Sequence, residues 1–178
     1  LIAIYSLGYM AVFHRKHLDV KDRRSFFFFV VFLFLSAMFG LVMSNNLLYM
    51  YTFWEITSLC SFLLIGYTGT NEAIHNSFKA LWMNLLGGLA FAMAIAYLGT
   101  HFYTLELSQL LSLGMQQMPV EPVVALLVFC GFTKSAMMPF SGWLLGAMVA
   151  PTPTSALLHS STMVKAGVFL IIKLAPIL

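Results

Sequence analysis

Between Phe129 and Lys173 the chain reads FCGFTKSAMMPFSGWLLGAMVAPTPTSALLHSSTMVKAGVFLIIK. No other stretch narrows so far what the chain can fold into. It is long and apolar enough to cross a lipid bilayer twice, at about 20 residues per crossing. Yet Lys134, His159 and Lys165 lie well inside its hydrophobic runs, and Pro139 interrupts the first of them. A lysine at mid-bilayer costs roughly 2.5–3.5 kcal/mol on insertion scales. A proline inside a helix removes one i→i−4 hydrogen bond and here leaves the carbonyl of Ser135 without its usual donor. Lipid cannot supply a replacement, so neighbouring protein or trapped water must. Buried charge beside an interrupted helix is how membrane transporters build an ion path near the midplane, and the stretch predicts ion movement.

The composition agrees with a membrane setting. Only 8% of the residues are charged and 61% are hydrophobic, whereas a soluble domain carries about 25% charged residues to cover its surface. Nine Lys+Arg stand against six Asp+Glu, but the excess is local: Arg15, Lys16, Lys21, Arg23 and Arg24 share one short loop with Asp19 and Asp22. Such a loop is a topology signal rather than a nucleic-acid patch. Cys60 and Cys130 lie far apart inside apolar runs, which indicates neither a metal site nor a disulfide framework. No signal peptide is visible, and the chain opens without methionine inside an apolar run, which reads as a fragment of a longer chain.

Taken in order, the apolar runs predict an all-α, polytopic transmembrane helix bundle forming one domain over residues 1–178. About six spans are expected: a partial one at 1–13, then 26–43, 47–67, 78–98, a fifth at 122–150 broken at Pro139, and 155–175. TLELSQLLSLG, in the connection 99–121, is expected as a short surface helix. The first loop carries five basic residues, the 68–77 connection runs into Lys79, and the 99–121 connection has no Lys or Arg. The bias of Lys and Arg towards cytoplasmic loops then puts 14–25 in the cytoplasm and the Ser44-Asn45-Asn46 turn outside.

Intramembrane ionisable groups are the candidate site. Glu55 lies inside the third span with Thr52 and Ser58 three residues either side, spacings that suggest one polar helix face. Its bland alternative is a structural carboxylate held by hydroxyls. Lys134 is too deep to reach either interface easily by stretching its stem, and its bland alternative is a pin between two helices. Lys165 has Ser161 and Thr162 at i−4 and i−3. His159 is equally readable as a satisfied packing residue. His159 and Lys165 are six residues apart, so either the helix unwinds around 160–163 to let both face the interior, or the two serve different directions. Gly88, Ala92 and Ala96 form a small-xxx-small stripe that suits close helix packing. Ser160 beside His159 suggests a nucleophile, but adjacent helical residues point about 100° apart and no third partner is evident.

FWEITSLCSFLLIGY, GFTKSAMMPFSGWLLGAMVAPTPTSALLHSSTMVKAGVFLI and the spacing between them resemble the antiporter-like subunit family. That family comprises the large membrane subunits of respiratory complex I, Mrp-type sodium/proton antiporter subunits and the membrane subunits of energy-converting hydrogenases. The resemblance implies a proton relay through Glu55, Lys134, His159 and Lys165, with Pro139 and Ser135 at the broken helix and Thr52, Ser58, Ser161 and Thr162 in support. It implies the first of two inverted five-helix repeats. Gly87-Gly88 and Lys165 depart from the complex I pattern, and the wording of the second motif is most similar to hydrogenase-type chains.

The leading expectation is therefore a proton-translocating subunit of a redox-driven complex, of energy-converting hydrogenase or NADH/quinone oxidoreductase type. A subunit of an Mrp-type Na+/H+ antiporter is the alternative, and a structural scaffold without transport a further one. The chain is expected to hold no cofactor, no metal and no catalytic centre of its own. Its expected partners are the lipid bilayer, other membrane subunits, and protons with Na+ as the other candidate ion, with no nucleic acid. The expected location is the cell's inner (plasma) membrane, crossed several times. In the expected switch, Glu55 close to Lys134 holds a proton on the amine and, displaced, lets it leave towards Lys165 or His159.

Overall fold

A computed structural model describes residues 24–161 and 163–178, with Ile4, Gly8 and Val12 from the segment ahead of them. The side chains of Arg24, Pro153, His159, Ser160 and Ser161 lie outside that description, as does the expected partial span at 1–13 apart from those three residues.

The described residues form an all-α bundle with no strand. Its helices are α1 (Arg24–Met43), α2 (Leu47–Ile65), α3 (Asn71–His101), α4 (Leu107–Met115), α5 (Glu121–Lys134), α6 (Gly142–Gly146), α7 (Thr152–Ser155) and α8 (Met163–Leu174). Among the described residues, four helical stretches are long and apolar enough to cross a bilayer: Ser25–Met43, Leu47–Thr68, Asn71–His101 and Ala156–Ile177. The chain packs as a row, α1 on α2, α2 on α3, α3 on α5 and α5 on α8.

Local chemistry sets the boundaries. Asn46 caps α2 by accepting from the backbone N–H groups of Leu48 and Tyr49, which satisfies orphan donors of the first turn. Thr70 caps α3 through the N–H of Ala73, so α3 begins at Asn71, seven residues ahead of the expected start. The Ser44–Asn46 turn is bound to the start of α4: Leu47 N–H donates to Leu105 O, Leu107 N–H to Asn45 O, and Asn45 Nδ2 to Ser108 Oγ. These two connections therefore share one end of the bundle, here called the upper end. Gly66–Thr68 and the first turns of α3 form the lower end, where α6 and the 3₁₀ turn Ala147–Val149 lie against α3.

Two apolar cores stack along the row. The upper one gathers Leu41, Trp54, Phe91, Leu98, Leu127 and Leu170. The lower one gathers Phe34, Cys60, Leu64, Ala80, Trp143 and Leu158. Large apolar side chains such as Phe29, Phe39, Trp82, Leu89 and Met93 point outwards, as they must where lipid or further protein replaces water.

Candidate functional site

The break in the fifth span lies above Pro139. α5 ends at Lys134, because Ala136 takes a left-handed backbone (φ 52) and turns the chain away. Met137 N–H then donates to Phe132 O and Ala136 N–H to Thr133 O. This 6→1 and 5→2 pair is a helix-terminating motif that ordinarily uses glycine at the left-handed position. The expectation that Pro139 interrupts a continuous helix and strands Ser135 O is corrected: the helix has already closed, and Pro139 is exposed in the loop beyond it. Trp143 completes the end by donating its indole N–H to Thr133 O at 3.0 Å in the core. Fourteen residues make α5 about 21 Å long, short of a bilayer core of about 30 Å. Its last residue is thus held at depth.

That last residue is Lys134, fully buried. Helical side chains lean towards their own N-terminus, so its stem runs back up to α2. There Nζ donates to Ser58 Oγ at 2.7 Å and to Trp54 O at 3.1 Å, and lies 5.0 Å from the Trp54 ring centroid. Ser58 Oγ in turn donates to Trp54 O, and Thr57 Oγ1 donates to the same carbonyl. The ammonium is held by neutral oxygens and a ring face, a strong setting for a desolvated cation.

Glu55 follows Trp54 by one residue, on the same turn of α2. Neither hydrogen bond of Lys134 goes to it, and Glu55 Oε1 is buried with no hydrogen-bond partner among the described residues. The carboxylate lies instead against α3, where a carbon added to Gly88 would overlap Oε1. A carbon on Gly87 would overlap Thr133 Oγ1 of α5. The Gly87-Gly88 pair is thus the recess in which α2, α3 and α5 meet. Lys134 and Glu55 share the junction, near enough for their charges to interact, but no hydrogen bond joins them: the ammonium bonds to the turn that carries the carboxylate.

The remaining expected residues divide. Ser58 is in the site. Thr52 is exposed and its hydroxyl bonds back to Leu48 O; residues three before and three after Glu55 stand about 120° apart on a helix, so only one of them can face the junction. Ser135 is buried and donates to Val164 O at 3.0 Å, which ties the end of α5 to the start of the last span. Behind it, carbons added at Gly131 or Gly167 would meet the other helix's backbone oxygen, so α5 and α8 cross closely. The backbone of His159 lies in a π turn, Ala156–Ser161, that precedes α8. The side chains of His159 and Ser161, and Thr162 altogether, lie outside the described residues. Lys165 is exposed on α8 on a face shared with Val168 and Ile172, so within this bundle it does not face the Lys134–Glu55 junction. In the Gly88-Ala92-Ala96 stripe, Gly88 is buried and Ala96 is exposed, so the stripe is not one packed face.

Sequence reasoning passed over Trp143, Thr133 and Asn84. All three are buried, and each is a polar group inside an apolar run, which was the available signal.

Comparison with known proteins follows the same lines. The family described as NADH:quinone oxidoreductase/Mrp antiporter, transmembrane, matches residues 44–178. The Na(+)/H(+) antiporter subunit A1 of Staphylococcus epidermidis is 40% identical over 181 residues, covering 99% of this chain and 22% of that relative. Among solved structures, the Mrp complex from Dietzia sp. DQ12-45-1b superposes with a TM-score of 0.81 at 31% identity, over 95% of this chain and 19% of that one. The archaeal membrane-bound sulfane sulfur reductase, a respiratory membrane complex, superposes with a TM-score of 0.82 at 25% identity, over 96% and 35%. The chain thus spans about a fifth of the length of the curated relative.

Proposed function

Because the chain belongs to the NADH:quinone oxidoreductase/Mrp antiporter transmembrane family, we propose that it carries a proton-relay site of a Mrp-type cation/proton antiporter subunit, centred on Lys134 and Glu55. The observation that carries this reading is a fully buried lysine held by Ser58 Oγ and Trp54 O beside an unpartnered buried carboxylate oxygen. A scaffold has no use for that separation. A charge kept only to join helices is most stable when paired, since a buried charge without a counter-ion is strongly destabilising. Two sites that are each partly satisfied can pass a proton between them.

The Mrp assignment rests on the antiporter relatives, which cover nearly the whole chain at about 40% identity. The redox-driven reading keeps support from the likeness to a respiratory complex, and both use the same relay. On either reading the partners are further membrane subunits and the transported species a proton. Lys165, on the outer face of α8, would pass the proton to protein packed on that face, because a lysine facing lipid is too costly. The π turn Ala156–Ser161, which holds the backbone of His159, supports a link through that segment between Lys134 and Lys165.

The experiment separates the two readings. The assembled complex in everted vesicles is given Na+ or K+ with no electron donor, and proton movement is followed with a ΔpH dye. Cation-driven proton movement supports the Mrp reading; movement that requires an electron donor and ignores both cations contradicts it.

A further inference from the structure

Asn84 sits at mid-length of α3 with 1% of its surface exposed. Its Nδ2 donates to Ala80 O at 2.8 Å, which leaves Oδ1 buried with no partner among the described residues. Its place in the bundle follows from the two glycines one turn above. Gly88 faces Glu55 on α2 and Gly87 faces Thr133 on α5. On a helix of about 3.6 residues per turn Asn84 falls between those two directions, so it faces the seam between α2 and α5. Its height is also fixed. Gly66 lies against Ser77 and Gly88 against Glu55, one antiparallel register that puts Asn84 level with the turn after Glu55. Ser58, which holds Lys134, belongs to that turn. Glu55 Oε1 thus stands against position 88 and Asn84 Oδ1 extends from position 84, one helix turn below, where Cβ positions lie about 5–6 Å apart; both oxygens are buried without a partner among the described residues.

We propose that these two oxygens hold an ordered water between them, and that Asn84 is a positioning residue for the entry of protons to Glu55 from the lower end of the bundle. A buried water needs at least two polar partners, and two hydrogen bonds of about 2.8 Å bridge such a gap. One of the two amide N–H groups is used by Ala80 O, and the oxygen left without a partner is an acceptor. The water therefore donates both hydrogens, one to each oxygen, and turns its lone pairs to the seam. A proton arriving there forms a third O–H bond on the water. One O–H bond of that hydronium then breaks as its proton bonds to Glu55 Oε1, and the neutral water remains on Asn84. Unpaired buried oxygens cost stability, which an apolar residue at position 84 would spare if packing were its whole role.

The inference rests on the relay reading above, and the test keeps the two apart. Asn84→Val and Asn84→Thr have the same shape and differ in one hydroxyl. In the full complex in everted vesicles, Asn84→Thr should keep at least roughly half the rate of proton movement, since its hydroxyl can accept from water. Asn84→Val should lose about tenfold, with the half-saturating cation concentration unchanged in both. If the branched pair does not assemble, Asn84→Gln against Asn84→Leu makes the same comparison. Equal rates within a pair, alongside a Glu55→Gln complex that no longer transports, overturn this inference alone. If Glu55→Gln transports normally, the relay reading falls and takes this inference with it.

Discussion

Lys134 Nζ donates to Ser58 Oγ at 2.7 Å, while the carboxylate three residues before Ser58 turns away to Gly88. The lysine is therefore held by a hydroxyl and a carbonyl of neutral charge rather than by its counter-ion. On the relay reading proposed above, this geometry is the displaced arm of a switch in which rotation of Glu55 brings the carboxylate to the ammonium.

The recess at Gly88 and the crossing at Gly167 predict opposite outcomes for the same substitution. In Gly88→Ala the new carbon overlaps only the far end of a flexible side chain, Glu55 Oε1, so the carboxylate moves and the fold survives. Thermal stability of the purified complex should change by no more than about 0.5–1 kcal/mol while proton transport falls. In Gly167→Ala the carbon overlaps the backbone oxygen of Gly131, which cannot rotate aside. That variant should destabilise by about 1–3 kcal/mol, as overpacking does, and lose assembled complex on native gels.

Trp143→Phe keeps the aromatic bulk in the lower core and removes only the donor to Thr133 O. Thr133 O keeps the N–H of Ala136, so the loss is that of one hydrogen bond, about 0.5–1.5 kcal/mol. The end of α5 should loosen, and amide hydrogen exchange at Thr133–Ala136 should speed up by about fivefold. Unchanged exchange would show that the helix end is held by the backbone bonds of Ala136 and Met137 alone.

Much of this was legible in advance, and what was not has physical reasons. Long apolar runs announce spans because bilayer thickness sets their length, and Glu55 and Lys134 stand out because charge in lipid is rare. The break was misplaced because proline is a visible helix breaker, whereas an alanine at positive φ leaves no trace in composition; only the surrounding contacts hold Ala136 there. Thr52 was misassigned because spacing of three on both sides of one residue looks like a stripe but spans about 120°. Asn84 and Trp143 went unread because their worth depends on which helix faces them. The hydroxyl neighbours of Lys165 do not tell its direction, which is set by the close crossing at Gly131 and Gly167 that turns the opposite face of α8 inwards.

The topology is also open to test. The Ser44–Asn46 turn and the start of α4 share the upper end, and the basic loop assigns the opposite end to the cytoplasm. A cysteine replacing exposed Ser112 should react with an impermeant maleimide in intact cells, and one replacing His17 only after permeabilisation. Cys60 and Cys130 are buried, so these two should add little labelling of their own. The reverse pattern would invert the proposed path.

The most direct measurement is the rate of cation-coupled proton movement in everted vesicles carrying Lys134→Met, which keeps the length of the stem and removes the charge and its donors. The relay account predicts a loss of at least about tenfold, with the complex assembled at wild-type level and its thermal stability retained. A complex that assembles and transports at the wild-type rate without the ammonium would contradict it, and would leave Lys134 as a pin between α5 and α2.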